Sequence, residues 1–218
     1  MTYTVKEIYC TLQGEGANTG RPAVFLRFSG CNLWTGREED RSSAICQFCD
    51  TDFVGGTKFS GAVQLAEEVA SQWFGNGTSK RFVVITGGEP LLQLDDNLIA
   101  SLHNLGLEIA IETNGTLQAP PGLDWVCVSP KAGTVIRQRS GNELKLVYPQ
   151  WEPTVGAQHA APLHLDPAQF ERLNFAHFFL QPMDGPDVEQ NTELAARYCL
   201  EHPRWRLSLQ THKLLGIR

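Results

Sequence analysis

The feature that most restricts how this chain can fold is a series of short apolar runs, each followed by a turn rich in glycine, proline or polar residues. Their length and apolar pattern are typical of buried β-strands. The runs lie at residues 23–28, 82–86, 107–112, 124–129, 143–147, 177–181 and 205–210. The turns after six of them are Ser29-Gly30-Cys31, Gly87-Gly88-Glu89-Pro90, Thr113-Asn114-Gly115, Ser129-Pro130-Lys131, Gln181-Pro182 and Gln210-Thr211-His212-Lys213. Parallel α/β folds bind ligands at the carboxyl ends of their strands, so we expect these turns to form one rim.

Three segments between the strands carry apolar residues at helical spacing. They span 61–74 after Ser60, 96–105 after Asp95, and 192–201 after Asn191, and Ser60 and Asp95 are the expected N-caps of the first two. Strands alternating with so few helices predict an α/β fold with mostly parallel strands, an open or partial barrel rather than eight complete units. Residues 148–170 lack clear periodicity and are expected to form an irregular crossover.

Charge and hydropathy argue against several classes of function. The 218-residue chain has a net charge of −6 and a pI near 5.5, which disfavours nucleic acid or an anionic membrane as its main partner. No apolar run approaches the ~20 residues of a membrane span. Residues 1–16 lack the pattern of a signal peptide. We therefore expect one domain over residues 1–218 and a cytoplasmic location with reduced thiols.

The six cysteines divide into a cluster and three scattered residues. Cys31, Cys46 and Cys49 have the spacing C-x14-C-x2-C, which allows three thiolates to converge on one metal centre. Thiolates bind both zinc and iron–sulfur clusters, and the spacing alone leaves both possibilities open. The nearest histidine, His103, is far along the chain, so three cysteines without a fourth ligand suggest a cluster with one open iron. The scattered cysteines are expected to be small core residues: Cys10, Cys127 and Cys199.

The turn Gly87-Gly88-Glu89-Pro90, together with three upstream cysteines, resembles the radical S-adenosylmethionine superfamily. In that superfamily the methionine amino and carboxylate groups chelate the open iron of a 4Fe–4S cluster, and glycines let the backbone approach the cofactor. The chain differs in one respect, because the insertion 32–45 separates its first two cysteines where the superfamily usually has three residues. The charged stretch 37–41 in this insertion is expected to be a solvated excursion, not a site.

Further strings resemble a narrower family, the 7-carboxy-7-deazaguanine synthases. They lie at 9–16 (YCTLQGEG), 49–51 (CDT), 83–90 (VVITGGEP), 111–116 (IETNGT), 129–131 (SPK) and 207–216 (LSLQTHKLLG). The resemblance implies a modified, partial (β/α) barrel and a lyase of queuosine biosynthesis. That lyase contracts 6-carboxy-5,6,7,8-tetrahydropterin to 7-carboxy-7-deazaguanine with loss of ammonia. Two alternatives are a glycyl-radical activating enzyme and a zinc-binding interaction module without chemistry.

The same resemblance implies cofactors and partners. Cys31, Cys46 and Cys49 would bind the 4Fe–4S cluster, whose open iron takes S-adenosylmethionine, and a 5′-deoxyadenosyl radical would abstract hydrogen from the pterin. Thr51 would bind Mg²⁺ beside the substrate, and Asp50 could hold the waters of that ion. The electron would come from a flavodoxin or ferredoxin, and the enzyme would be a homodimer.

Site residues follow from the same resemblance. The implied substrate residues are Leu12, Gln13, Gly14, Arg27, Thr86 and the terminal carboxylate of Arg218, with Glu15 and His212 as further candidates. For Arg27, a clamp on the substrate carboxylate is favoured over a structural ion pair. The implied S-adenosylmethionine residues are Gly88, Ser129, Pro130, Lys131, Gln181, Pro182, Met183 and Asp184, of which the last two are expected to act through their backbone. Glu112 and Asn114 are either cofactor ligands or turn formers.

Overall fold

The computed structural model describes residues 1–75, 80–151 and 165–218. Nine β-strands form one sheet within these residues. They are β1 Thr2–Leu12, β2 Pro22–Phe28, β3 Thr57–Ser60, β4 Arg81–Gly87, β5 Leu107–Thr113, β6 Trp125–Val128, β7 Ser140–Tyr148, β8 Asn174–Pro182 and β9 Trp205–Leu207.

The order of the strands makes the sheet open and mostly parallel. It runs β3-β1-β2-β4-β5-β6-β7-β8-β9, so β3 and β9 lie at opposite edges. All neighbours from β2 to β9 pair in parallel, whereas β1 pairs antiparallel with both β2 and β3. The predicted α/β class, with mostly parallel strands in a partial barrel, is confirmed.

Four α-helices accompany the sheet in the described part of the chain. They are α1 Ala62–Ser71, α2 Asp96–Asn104, α3 Val188–Glu201 and α4 Thr211–Leu215. The predicted N-cap Asp95 is confirmed, because its side chain accepts a hydrogen bond from the Leu98 amide at 2.9 Å. Among the described residues, no helix is long and apolar enough to cross a membrane.

The other predicted cap, Ser60, and the predicted start of the third helix are wrong. Ser60 is the last residue of β3, and Gly61 stands between that strand and α1. Asn191 lies inside α3, where its buried amide donates to the Met183 carbonyl at 2.9 Å. The helix therefore begins at Val188, four residues before its predicted start at 192.

The two faces of the sheet differ in chemistry because side chains alternate along each strand. One face is apolar and packs against α1 and α2 through residues such as Val83, Ile85 and Ile109. A second apolar cluster packs β7, β8 and β9 against α3. Cys127 is buried, while Cys10 and Cys199 are partly buried against these clusters, as predicted. On the other face, small and aromatic residues give way to polar side chains toward the carboxyl ends of the strands.

The sequence did not predict β1 and β3. The antiparallel β1 is partly buried at most positions and mixes polar with apolar residues, so its periodicity is weak. The four residues of β3 are mostly exposed. The strand predicted over 205–210 ends at Leu207. Of the predicted crossover 148–170, residues 152–164 lie outside the described residues, and Pro167–Phe170 form one short 3₁₀ turn.

Candidate active site

The carboxyl ends of the parallel strands surround a cavity of about 480 Å³. Its lining includes residues from the turns after β2, β4, β5, β6, β8 and β9, as the sequence predicted. The predicted site residues that line it are Leu12, Gln13, Gly14, Glu15, Arg27, Cys31, Cys46, Cys49, Thr51, Thr86, Gly88, Ser129, Lys131, Gln181, Pro182, Met183, Asp184, His212 and Arg218. Asp50, Glu112 and Asn114 line it as well.

The three clustered cysteines lie in one part of this cavity. The thiols of Cys46 and Cys49 are hydrogen-bonded to each other, which lowers the pKa of Cys49 to about 6 and raises that of Cys46 far above its usual value. Burial raises the pKa of Cys31, whose sulfur accepts from the Leu33 amide at 3.4 Å. Among the described residues, no three His, Cys, Asp or Glu side chains form a single-ion site. Three sulfur donors on a shared cavity fit an iron–sulfur cluster by donor chemistry.

The glycine turn after β4 lies directly against the first cysteine. A Cβ atom at Gly88 would overlap the carbonyl oxygen of Gly30 and the Cβ of Cys31, so only glycine permits this approach. The Glu89 amide donates to the same Gly30 carbonyl at 2.9 Å. The turn therefore leaves backbone, rather than a side chain, beside the Cys31 thiol, which fits a cradle for a cofactor.

Glu89 joins the ends of β4 and β5. Its buried carboxylate accepts from the Thr113 hydroxyl at 2.8 Å, the Asn114 amide at 2.8 Å and the Leu91 amide at 3.0 Å. Burial raises the pKa of Glu89, and these hydrogen bonds act in the opposite direction. The side-chain amide of Asn114 donates to Asn32 Oδ1 at 3.0 Å, so the turn after β5 also holds the residue next to Cys31.

The charged stretch 37–41 is more than a solvated excursion, and this expectation is corrected. Residues Glu38–Ser43 form a 3₁₀ helix, and Arg37 and Glu39 are exposed as expected. Arg41, however, donates to the carbonyls of Gln47 and Cys49 at 2.8 and 3.0 Å. Its guanidinium also lies 4.1 Å from the ring centroid of Trp34. An arginine within the charged stretch thus braces the loop that carries the second and third cysteines.

The loop after β1 meets an ammonium group that the sequence analysis missed. Lys145, on β7, donates to Glu15 at 2.6 Å and to Glu112 at 2.8 Å. Gln13 donates to the other Glu112 oxygen at 2.9 Å, and Gln210 donates to the other Glu15 oxygen at 2.9 Å. One signal could have revealed Lys145: it alternates with leucines in a strand predicted to be buried.

Arg27 lies on the cavity side of β2, in register with Thr86 on β4. Its Nε donates to Glu7 at 2.9 Å, and one terminal nitrogen donates to the Tyr9 hydroxyl at 3.3 Å. Arg27 therefore forms a structural ion pair with Glu7, which was the less favoured of the two roles predicted for it. The clamp on a substrate carboxylate stays a prediction, since Arg27 also lines the cavity and has further N–H donors.

The turn after β6 divides between two cavities. Lys131 folds back so that its ammonium donates to the Ser129 carbonyl at 2.7 Å and the Ser129 hydroxyl at 2.8 Å. Of the predicted site residues, Pro130 does not line the main cavity. It borders a neighbouring cavity, and its carbonyl accepts from the buried Gln150 at 3.0 Å. The residue supports the turn from behind.

Lys213 connects the turn after β8 with the cysteine loop. Its ammonium donates to Asp184 at 2.6 Å and to Asp50 at 2.8 Å. The hydrogen bond from Lys213 lowers the pKa of Asp184. The Met183 amide donates to the Tyr148 carbonyl at 2.8 Å. Asp184 therefore uses its side chain here, beyond the backbone role expected for it.

The chain end lies along β1. The Arg218 main-chain oxygen accepts from the Thr11 hydroxyl at 2.8 Å, and its guanidinium pairs with Glu7 and lies 4.4 Å from the Tyr9 ring centroid. His212 lies close to Gly14, whose carbonyl accepts from the Thr211 amide at 3.0 Å. Both predicted residues, Arg218 and His212, thus reach the cavity from the last segment of the chain.

In this partial barrel, thiols converge beside a glycine turn at the carboxyl ends of the parallel strands. This is the arrangement of the radical S-adenosylmethionine class of enzymes, and the chain is one of that class. Its relatives narrow the class further. A 7-carboxy-7-deazaguanine synthase of Caulobacter vibrioides is 58% identical over 222 residues, which cover all of both chains. The chain belongs to the 7-carboxy-7-deazaguanine synthase family.

Other comparisons agree with this membership. The 7-carboxy-7-deazaguanine synthase of Bordetella pertussis is 55% identical over 222 residues, again covering all of both chains. The crystal structure of QueE from Escherichia coli has a TM-score of 0.65 and 27% identity, and it covers 96% of this chain and 94% of that chain. No protein-family model matches the chain. These relatives favour the synthase over the glycyl-radical activating enzyme and the zinc-binding module.

Proposed function

We propose that this enzyme contracts 6-carboxy-5,6,7,8-tetrahydropterin to 7-carboxy-7-deazaguanine with loss of ammonia, in queuosine biosynthesis. The observation that carries the proposal is that the cysteine cluster and the loop Leu12, Gln13, Gly14 lie on one cavity, in a chain 58% identical over its full length to a synthase of this name. That cavity, of about 480 Å³, has the size of a small-molecule site.

The cysteines and the turns would hold the cofactors. Cys31, Cys46 and Cys49 would bind the 4Fe–4S cluster, and the backbone at Gly88 would approach S-adenosylmethionine. When bound, these groups supply the radical that abstracts hydrogen from the substrate. Ser129 and Lys131, together with the segment from Gln181 to Asp184, line the same cavity and would orient the cofactor. Pro130 would act through the turn it shapes.

The opposite part of the cavity would bind the pterin. Gln13 and Glu15 present an amide and a carboxylate, which suit the donors and acceptors of a pterin edge. Arg27 has N–H groups beyond those that bond Glu7 and Tyr9, and a guanidinium binds carboxylates well. Thr86 stands beside it in register. Residues that surround the substrate would also exclude water from the reacting carbon.

Mg²⁺ is part of the proposal, with Thr51 as its protein ligand. Thr51 follows the last cluster cysteine and lines the cavity, next to Asp50. Mg²⁺ takes oxygen ligands and keeps several waters, so one hydroxyl with substrate oxygens suffices. Turnover should rise with added Mg²⁺, and Thr51→Ala should reduce that rise. An unchanged Mg²⁺ response in the variant would remove Thr51 from the metal site.

Further parts of the proposal rest on the family resemblance. The electron donor is a flavodoxin or ferredoxin, and the enzyme is a homodimer. One continuous sheet supports a single domain over residues 1–218. Six free cysteines are consistent with a reducing, cytoplasmic setting. Sedimentation tests the dimer, and replacement of dithionite by each purified donor tests the reductant.

Anaerobic reconstitution followed by turnover tests the proposed function. The wild-type enzyme, with S-adenosylmethionine, Mg²⁺ and a reductant, should convert the carboxytetrahydropterin to a product with the mass of 7-carboxy-7-deazaguanine. Cys31→Ala, Cys46→Ala and Cys49→Ala should lose bound iron and activity. The control Cys10→Ala should keep both, because Cys10 packs against the core. Stoichiometric zinc without iron would favour the zinc-binding module instead.

A further inference from the structure

The loop after β1 crosses the open side of the sheet. The Gly16 amide donates to the Ser208 hydroxyl at 2.9 Å, and the Ala17 amide donates to the Glu143 carboxylate at 2.9 Å. Gly16 has a φ of +66°, and a Cβ there would overlap that carboxylate. Residues 13–18, the crossing loop, therefore link β1, near one edge of the sheet, with β7 and with the segment after the edge strand β9.

A buried ammonium fastens the crossing loop. The side chain of Lys145 is 3% exposed and donates to Glu15 in the loop at 2.6 Å and to Glu112 on β5 at 2.8 Å. Gln210 and Gln13 donate to the second oxygen of Glu15 and of Glu112, respectively, each at 2.9 Å. Each carboxylate oxygen thus has a donor. This full pairing is what a buried group of charges requires, because an unpaired charge there is strongly destabilising.

Glu15 and Lys145 stabilise each other's charged forms. Burial acts to raise the pKa of Glu15, but the charge and hydrogen bond of Lys145, with the hydrogen bond of Gln210, lower it to about 2. Burial acts to lower the pKa of Lys145, yet Glu112 and Glu15 raise it well above its usual value. Glu15 is therefore ionised and Lys145 is protonated near neutral pH. The carboxylate oxygens of Glu15 and Glu112 line the cavity and can accept further hydrogen bonds.

We propose that Lys145 is a positioning residue, which fastens the crossing loop and holds the Glu15 and Glu112 carboxylates where they accept hydrogen bonds from the substrate. The inference rests on the proposed function, because it takes the ligand to be a carboxytetrahydropterin. The 2-amino-pyrimidinone edge of that ligand offers adjacent N–H donors, which carboxylates accept well. Lys145 directs two of its three N–H groups at the carboxylates, so it acts through them.

Lys145→Met tests the proposal, because methionine keeps much of the volume and removes the charge. The control is His103→Leu. His103 is hydrogen-bonded to Asp124 at 2.9 Å, and Asp124 also accepts from the amide of Ile109, on the same strand as Glu112, but neither His103 nor Asp124 lines the cavity. Two measurements are made on unreduced holoenzyme, which does not turn over. Hydrogen exchange reports the amides of residues 13–18 without ligand, and calorimetry reports the affinities for the pterin and for S-adenosylmethionine separately.

Lys145→Met should raise the hydrogen-exchange rates of the amides in the crossing loop. It should also weaken pterin binding about tenfold or more, because the Glu15 and Glu112 carboxylates are no longer held in line with the N–H donors of the pterin. S-adenosylmethionine binding should be unchanged, and the control His103→Leu should alter neither loop exchange nor the affinity for either ligand. A general structural defect would instead weaken both ligands equally, which overturns the positioning role. Unchanged hydrogen exchange in the crossing loop overturns the claim that Lys145 fastens this loop.

A second variant covers the case in which Lys145→Met does not fold. Gln210→Leu removes only the neutral donor to Glu15, and it should shift loop exchange and pterin affinity in the same direction by a smaller factor. Unchanged pterin affinity in both variants, with normal wild-type binding, overturns the positioning role and leaves the proposed function intact. A wild-type enzyme that binds no pterin overturns the proposed function, and the substrate role of Lys145 with it.

Discussion

The carboxylate of Glu89 accepts a hydrogen bond from the main-chain amide of Asn114 at 2.8 Å, and this bond joins the glycine turn after β4 to the turn after β5. Asn114 in turn donates to Asn32, the residue after the first cluster cysteine. The Gly-Gly-Glu-Pro turn thus does more than bring backbone close to a cofactor. Its acidic residue holds the neighbouring turn and, through it, the start of the insertion.

Replacing Glu89 by alanine should destabilise the enzyme by about 2–4 kcal/mol, because it leaves the buried amide of Asn114 and the buried hydroxyl of Thr113 without their acceptor. Urea unfolding of the apoprotein measures the change. Glu39→Ala is the control, since the Glu39 side chain is 74% exposed and should shift the free energy of unfolding by less than ~0.5 kcal/mol. Equal stability of the two variants would contradict the bracing role.

Arg41→Ala should speed the loss of iron to a chelator by up to about thirtyfold, since two hydrogen bonds to carbonyls contribute ~1 kcal/mol each. The carbonyls belong to Gln47 and Cys49, so the loop that bears two cluster cysteines loses its brace. Arg37→Ala is the matched control, because the Arg37 side chain is 71% exposed and pairs only with Glu39, at 3.8 Å. Identical rates of iron release in both variants would show that the charged stretch 37–41 does not support the cysteine loop.

An extension at the C-terminus should weaken pterin binding by about ten- to a hundredfold, because it converts the terminal carboxylate of Arg218 into a neutral amide. Arg218→Ala should be mild. Its side chain is 67% exposed and pairs with Glu7, and such surface pairs contribute ~0–1 kcal/mol. Calorimetry on N-terminally and C-terminally tagged enzyme compares the two ends. Equal affinities would remove the chain end from the substrate site.

The low pKa of Glu15, which is paired with Lys145, should make the free energy of unfolding depend on pH in the acid range. Glu15 has a folded pKa of about 2, below its ordinary 4.5, so it adds stability that is full above pH ~4.5 and is lost as the pH falls toward 2. The unfolded chain binds the extra proton in that window. Urea unfolding of wild type and of Glu15→Gln at pH 5, 4 and 3 tests this, and the variant should show the shallower decline. Parallel declines would contradict an ionised Glu15.

Several features of the enzyme could be predicted from the sequence alone because they depend on local patterns. Alternation and turn chemistry predicted the seven parallel strands, β2 and β4 to β9, and the rim at their carboxyl ends. The C-x14-C-x2-C spacing and the glycine turn predicted which thiols lie on the cavity, since all three cysteines belong to the one loop after β2, which lies beside the turn after β4. Asp95 was recognised as a cap because its hydrogen bond reaches only three residues along the chain.

Only the tertiary structure decided which polar residues meet across the cavity. Lys145 and Glu15 are 130 residues apart, and Gln210 and Glu15 are 195 apart, so no local pattern pairs them. In the sequence, Arg41 could not be told from other surface charges, because its partners, the carbonyls of Gln47 and Cys49, are brought to it by the folding of the loop. Asn191 was expected to precede the third helix, but it lies inside α3 and donates to the Met183 carbonyl. The reason is the same in each case: a polar side chain goes where burial leaves a partner, and sheet topology determines which partners are near.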